Sequence, residues 1–175
     1  YGRECYKTQL ELIKSLDVTR PRSFSSCRFK TDICFDLVDV VSYNIYPKWY
    51  HNTPVAMYLD DLYKWVQTTG GAGKPFLITE VGAGAIYGYR TPAKVKWSEE
   101  YQVLALEEQL GAILSYKDCS GVYIWQFCDV RVTNDWWNTR PRTMNNKGIV
   151  DEYRRPKLSY ETVKRIFRSV DTYRK

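Results

Sequence analysis

The chain has 175 residues, enough for one domain with a buried core, and its 44% content of hydrophobic residues excludes an intrinsically disordered chain. The formal net charge of +6 is spread along the sequence without a long basic run or a nucleic-acid-binding motif, so no nucleic-acid partner is expected. No stretch of about 18 apolar residues is present, so the sequence predicts no membrane-spanning helix and no membrane partner.

The first half of the chain is predicted to form a helix followed by strand–helix units. Apolar residues at helical spacing predict a helix over residues 3–16, and a strand is expected over Ser23–Phe29. The β-branched residues of Leu37–Tyr43 predict a buried strand. Thr53 as N-cap predicts a helix over Pro54–Thr68, with the proline at its first position.

The second half continues the same alternation. Phe76–Thr79 is predicted to be a short apolar strand, followed by a carboxylate and a loop of small residues that we interpret as room for a substrate. Residues 97–117 are predicted to be helical, with Ser98 as N-cap. Three segments complete the order: a strand over Val122–Phe127, a polar loop over 129–148 and an amphipathic helix over 157–168.

This order of elements is typical of parallel βαβ units. We therefore predict an α/β fold, and the four strands correspond in number to half of an eight-stranded barrel. Polar and aromatic loops follow the carboxyl ends of three strands, at residues 44–50, 80–96 and 129–147. Because chemistry in such sheets takes place at this edge, the loops predict the location of a functional site.

Glu80 ends a strand on this edge and is the strongest catalytic candidate, although a carboxylate there could instead pair with an arginine of the next loop. Six other residues are expected to converge with it: Asn44, Tyr46, Tyr50, Trp125, Asn145 and Lys147. Hydroxyls, amides, an indole and an ammonium group together suit an acidic sugar. Three of them could have a structural role instead: Trp125 could be a core residue, Asn145 could hold a turn, and Lys147 could be a solvated surface charge.

Cysteine and histidine usage argues against metal chemistry. The five cysteines form no CxxC or other metal-ligand spacing, and we interpret them as reduced, mostly buried thiols of a cytoplasmic protein. The single histidine, His51, argues against a His-based zinc site and against a Ser-His triad. No metal and no organic cofactor is expected.

Four motifs occur in a jointly specific order: ITEVGAG (78–84), WSEEYQ (97–102), YIWQFCD (123–129), and NNKGI (145–149) with RRPK (154–157). Together they resemble the catalytic barrel of glycoside hydrolase family 2, in its β-glucuronidase branch, and the resemblance extends from the first helix through RRPK. It implies that Glu80 is the catalytic nucleophile at the end of the seventh strand. It also implies that Asn145 and Lys147 bind the C6 carboxylate of glucuronate, and that Asn44, Tyr46, Tyr50 and Trp125 line the active site.

The resemblance further implies the second half, strands 5–8, of a (βα)8 TIM barrel that hydrolyses β-D-glucuronides with retention. In the family the acid/base glutamate belongs to an Asn-Glu pair at the end of the fourth strand. This chain contains no Asn-Glu pair, and Glu4, within the first helix, is a poor substitute. The first half of the barrel and the preceding β-sandwich domains are expected to be missing from residues 1–175. We therefore expect the isolated chain to be weakly active or inactive, and either to associate with itself through the exposed half-barrel surface or to need the missing half.

Other functions remain open. A β-galactosidase or a β-galacturonidase of the same family would use the same nucleophile. A non-catalytic carbohydrate-binding module would use Trp49, Trp125 and Trp136 as a stacking platform, and a structural α/β domain would bind no glycan. Two loops, NIYPKWY (44–50) and DVRVTNDWWNTRPRTM (129–144), depart from the family pattern, which leaves the aglycone preference undetermined.

Overall fold

A computed structural model describes residues 2–171 of the chain. Its main sheet has four parallel strands in the order β1-β2-β3-β4, which confirms the predicted α/β fold with a parallel sheet. The strands are β1 (Ser25–Ser26), β2 (Val41–Asn44), β3 (Phe76–Val81) and β4 (Cys119–Ile124). The helices are α1 (Gly2–Leu16), α2 (Val55–Thr68), α3 (Glu99–Ser115) and α4 (Leu158–Asp171).

The core lies on one face of the sheet, against α2 and α3. Side chains alternate along a strand, so Val41 and Tyr43 of β2 and Phe76 and Ile78 of β3 enter the same buried cluster. Burying each large side chain of this kind stabilises the fold by about 2 kcal/mol. The intervening residues, such as Thr79, face the other side of the sheet, which is the interior side in a barrel.

All four helices begin and end within three residues of the predicted ranges, but the predicted cap is confirmed only at α3. Ser98 caps α3 as predicted, since its side chain accepts a hydrogen bond from the backbone N of Tyr101 at 3.2 Å. The prediction that Thr53 caps α2 is wrong. Pro54 itself occupies the cap position, because its ψ of 136° is extended and the helix begins only at Val55.

The strands differ from the predicted ranges: the first two are shorter, the third is longer and the fourth is shifted. Only Ser25–Ser26 of the first predicted strand pairs, and in the second, pairing starts at Val41 because residues 35–37 form a 3-10 turn. The third strand continues through Glu80 to Val81, since the backbone N of Ile45 donates to the Glu80 carbonyl at 2.8 Å. The fourth strand ends at Ile124, so Trp125 follows it.

The predicted polar loop of residues 129–148 contains a small antiparallel hairpin. β5 (Val130–Arg131) pairs with β6 (Met144–Asn145), and two 3-10 segments, Asn134–Thr139 and Pro141–Thr143, connect them. This hairpin delivers Asn145 to the carboxyl edge of the main sheet.

The cysteines differ in part from the expectation. All five are free thiols, but only Cys34 is buried; Cys5 and Cys27 are exposed, and Cys119 and Cys128 are partly buried. The interpretation as mostly buried thiols is therefore wrong, and the cytoplasmic location inferred from them stays a prediction. Within residues 2–171, every helix is too short or too polar to cross a lipid bilayer.

Candidate active site

Glu80 lies on β3 between two neighbouring strands, where the backbone holds it firmly. The register pairs it with Asn44 of β2, after a shift between Tyr43 and Asn44. The hydroxyl of Tyr46 donates to Glu80 Oε2 at 2.5 Å. Burial, together with the Glu80 acceptor, raises the pKa of Tyr46 well above its usual range, so this phenol remains a neutral donor. Within the described residues Glu80 forms no ion pair with an arginine, which disfavours the structural alternative.

Lys147 is a buried cation, with only 3% of its surface exposed. Its Nζ donates to the Tyr50 hydroxyl at 3.1 Å and lies 5.1–5.3 Å from the ring centroids of Tyr46, Trp49 and Tyr50. No carboxylate of residues 2–171 forms an ion pair with it, and burial lowers its pKa. The alternative that Lys147 is a solvated surface charge is therefore wrong. A buried ammonium group without a carboxylate partner suits an anionic ligand.

A second cation, Arg140, approaches the same hydroxyl. Its guanidinium donates to the Tyr50 hydroxyl at 3.3 Å. Burial alone would raise the pKa of Tyr50, but the hydrogen bonds from Arg140 and Lys147 hold it below its usual value. Sequence reasoning missed Arg140 as a site residue, because its only signal was a short basic group, Arg-Pro-Arg, in an irregular loop.

Three other candidates lie around this centre. Asn145 Oδ1 accepts from the backbone N of Lys147 at 3.3 Å, so Asn145 holds the turn that carries the lysine. Asn44 Oδ1 accepts from the Thr79 hydroxyl at 2.8 Å on the interior face of the sheet. Trp125 is 38% exposed directly after β4, so it lies outside the core that the described residues form.

The small residues after Glu80 allow close packing, and the interpretation that they leave room for a substrate is wrong. A Cβ on Gly82 would lie 2.4 Å from the Trp125 carbonyl. A Cβ on Gly84 would lie 2.8 Å from the Trp97 ring and 2.9 Å from the Trp49 ring. Trp49 is 3% exposed and therefore cannot form the flat stacking platform that a binding module would use.

A buried ion pair supports the turn that carries Lys147. Lys157 Nζ donates to Asp129 Oδ1 at 2.8 Å and to the backbone carbonyls of Ala85 and Asn146 at 2.6 and 3.1 Å. Burial raises the pKa of Asp129 to about 6, although Lys157 opposes the shift. The motifs that contain Asp129 and Lys157 were noted in the sequence, but the contact between them was not.

Comparisons with known proteins show which family the sequence matches. The sequence profile described as "Glycosyl hydrolases family 2, TIM barrel domain" matches residues 1–172. The β-glucuronidase of Rattus norvegicus is 34% identical over 166 residues, which are 88% of this chain and 24% of that protein. The β-glucuronidase of Mus musculus is 33% identical, with the same coverage. The chain thus spans about a quarter of the length of the curated relatives that it matches.

Solved structures extend the comparison. The family 2 β-galacturonidase from Eisenbergiella tayi bound to galacturonate is 74% identical, with a TM-score of 0.95 over 97% of this chain and 30% of that one. The β-glucuronidase from Ruminococcus gnavus in complex with D-glucuronic acid is 25% identical, with a TM-score of 0.82 over 94% of this chain and 30% of that one. Both similarities cover nearly all of the chain.

Proposed function

The chain belongs to the glycosyl hydrolases of family 2, and from that premise we propose that the intact protein hydrolyses β-D-hexuronides through a glycosyl-enzyme on Glu80. One observation carries the proposal: the buried ammonium group of Lys147 has no carboxylate partner in the described residues and is linked to Glu80 by two tyrosines. Lys147 bonds to Tyr50, the ring centroids of Tyr50 and Tyr46 are 5.3 Å apart, and Tyr46 bonds to Glu80. The proposed nucleophile and the cation proposed to bind the substrate carboxylate therefore contact the same pair of tyrosines.

The proposed reaction is a double displacement with retention of configuration. The carboxylate of Glu80 attacks the anomeric carbon, the leaving oxygen takes a proton from a second carboxylic acid, and water then releases the sugar. Tyr46 donates to Oε2 and orients the carboxylate, which leaves Oε1 to form the bond to the anomeric carbon. No metal or cofactor takes part in these steps.

The second acid, roughly 5 Å from the nucleophile in a retaining enzyme, is proposed to come from another part of the intact protein. The three buried carboxylates of the described residues have structural partners: Asp129 pairs with Lys157, Asp151 pairs with Arg155, and Glu99 accepts from the backbone N of Leu158 at 2.6 Å. Glu4 is exposed on α1. We accordingly propose that β1–β4 are strands five to eight of the barrel, and that the other half carries the acid.

The sugar is proposed to be a hexuronate because Lys147 would otherwise remain buried without an anion. Curated relatives at 30–34% identity are named β-glucuronidases, which supports a glucuronide substrate. The 74% identity to a β-galacturonidase supports a galacturonide, and this higher identity makes the galacturonide the first substrate to test. The two sugars differ only at C4, so Glu80 and Lys147 would have the same roles with either one.

A substrate panel tests the proposed function. We expect the intact protein to hydrolyse 4-nitrophenyl β-D-galacturonide and β-D-glucuronide at least about 100-fold more efficiently than the β-D-galactoside, because a neutral sugar leaves a buried charge unpaired. The measurement is kcat/KM for the three substrates. A higher value for the galactoside would contradict the uronide proposal, and the ratio between the two uronides would decide the C4 preference.

The open edges of the sheet predict association of the isolated chain. The sheet ends at β1 and β4, and near β4 the side chains of Tyr123 and Phe127 are 61% and 57% exposed. Unpaired strand edges with exposed apolar side chains favour intermolecular contacts. We expect size-exclusion chromatography with light scattering to report oligomers for residues 1–175, and fewer of them for Tyr123→Lys. The exposed Tyr153 provides a control as Tyr153→Lys; a monodisperse wild-type monomer would contradict the prediction.

A further inference from the structure

Helix α3 presents buried polar side chains to the candidate site, although it carries none of the residues assigned to the reaction. Glu99, Gln102 and Gln109 are all at most 4% exposed and lie along one face of the helix. A face that only packed against the sheet would be apolar, and each buried polar group requires a hydrogen-bond partner. Most of their partners are backbone groups of the loops that carry the site, and Glu99 and Gln102 also bond to Leu158 and Ser159 at the start of α4.

Gln102 bridges the loop after Glu80 and the turn that carries Lys147. Its Nε2 donates to the carbonyl of Ala83 at 2.8 Å and to the carbonyl of Gly148 at 3.0 Å. Ala83 follows Glu80 by three residues, and Gly148 follows Lys147 directly. The amide orientation is determined by its partners, because two carbonyls can only accept. The remaining atom, Oε1, accepts from the Ser159 hydroxyl at 2.7 Å.

The two contacts of Gln102 differ in their distance along the chain from the residues of the proposed reaction. Glu80 lies in a strand with neighbours on both sides, whereas Lys147 lies in a turn after the two-residue strand β6. Gly148 in that turn has no space for a side chain, since a Cβ would lie 2.3 Å from the Val150 carbonyl. Because Gly148 directly follows Lys147, whereas Ala83 is three residues from Glu80 in the central strand β3, loss of the Gln102 bonds is expected to displace Lys147 more than the nucleophile.

We propose that Gln102 is a positioning residue that sets the distance between the uronate-binding turn and the nucleophile, and so determines selectivity for acidic over neutral sugars. This inference rests on the proposed function. Gln102 acts through Lys147 and Glu80 and does not touch the substrate. It accounts for the glutamine of the WSEEYQ motif, to which the reaction itself gives no role.

Gln109 is a matched control on the same helix face. It is equally buried, and its Nε2 donates to the carbonyls of Pro47 and Gly82 at 2.6 and 3.4 Å. It contacts the loop of Glu80 but not the turn of Lys147. A general effect of removing a buried amide from α3 should therefore be the same for both glutamines, whereas an effect on uronate selectivity should be specific to Gln102.

The experiment compares wild type, Gln102→Met and Gln109→Met of the intact protein on 4-nitrophenyl β-D-galacturonide and 2,4-dinitrophenyl β-D-galactopyranoside. We expect Gln102→Met to lower kcat/KM for the uronide by about 30-fold, mainly through KM, and for the galactoside by less than about 3-fold. Gln109→Met should lower both values by similar factors. Equal losses on the two substrates for Gln102→Met would overturn the positioning role.

A milder variant keeps the test decisive if Gln102→Met does not fold. Ser159→Ala removes only the hydrogen bond to Gln102 Oε1, and we expect a loss of about 3-fold on the uronide with little change on the galactoside. Equal losses with this variant would likewise overturn the role. Uronide hydrolysis by wild type tests the proposed function separately. If wild type hydrolyses uronides and the Gln102 variants retain full selectivity, only the positioning inference fails. If wild type does not hydrolyse uronides, the proposed function and the positioning inference both fail.

Discussion

Glu80→Gln in the intact protein is expected to lower kcat/KM for β-D-hexuronides by at least about 10⁴-fold, the order of loss seen when a covalent nucleophile is removed. The amide is nearly the same size as the carboxylate but cannot form the glycosyl-enzyme. Folding should be retained, because Glu80 contributes to the sheet through its backbone and Tyr46 can still donate to the amide oxygen. A difference in kcat/KM between wild type and Glu80→Gln therefore measures the loss of the chemical step and not a loss of folding.

Covalent trapping identifies the nucleophile directly. Wild type incubated with an activated 2-deoxy-2-fluoro-hexuronide should yield a labelled peptide that contains Glu80, and Glu80→Gln should yield none. Glu161→Gln is the control, since this carboxylate is exposed on α4 and pairs with Lys164 at 3.2 Å. A label on another carboxylate, or more than about a tenth of wild-type activity in Glu80→Gln, would contradict the assignment of the nucleophile.

The second large effect is expected at Lys147. Lys147→Ala should lower kcat/KM for uronides by at least about 100-fold and for the galactoside by only a few-fold, because only the uronide carries the carboxylate that pairs with the ammonium group. Kinetics on both substrates provide the measurement. Lys164→Ala removes a half-exposed lysine of α4 and should change neither value. Equal losses on the two substrates for Lys147→Ala would exclude a role in carboxylate recognition.

The protonation of Lys147 gives this prediction a pH dependence. Burial lowers the pKa of Lys147, so the ammonium form is lost as the pH rises through a value below the ordinary range of a lysine. Uronide selectivity should therefore be present at lower pH and decline at alkaline pH, earlier than for an exposed lysine. The ratio of kcat/KM values for uronide and galactoside, measured against pH, would show this decline. A ratio independent of pH in wild type would contradict it.

Local sequence determined the order of the elements and the edge of the sheet that carries the site. Helical spacing of apolar residues predicted α1, and the Ser98 cap of α3 was confirmed because a cap depends on a few neighbouring residues. Polar and aromatic residues after apolar strands indicated the carboxyl edge, where Glu80 and Lys147 lie together. The predicted ends of the strands were less accurate, because a strand ends where its partner strand ends and not at the last β-branched residue.

Tertiary structure decided how the site is held together. The sequence named Glu80, Tyr46 and Lys147, but it did not indicate that Arg140 would meet Tyr50 across 90 residues. Nor did it indicate that Gln102 would join the loops of Glu80 and Lys147. Such contacts depend on which backbone carbonyls and hydroxyls remain without partners once the loops have packed. Residue type and spacing along the chain do not predict these hydrogen bonds, because the partners are neighbours in space and not in sequence.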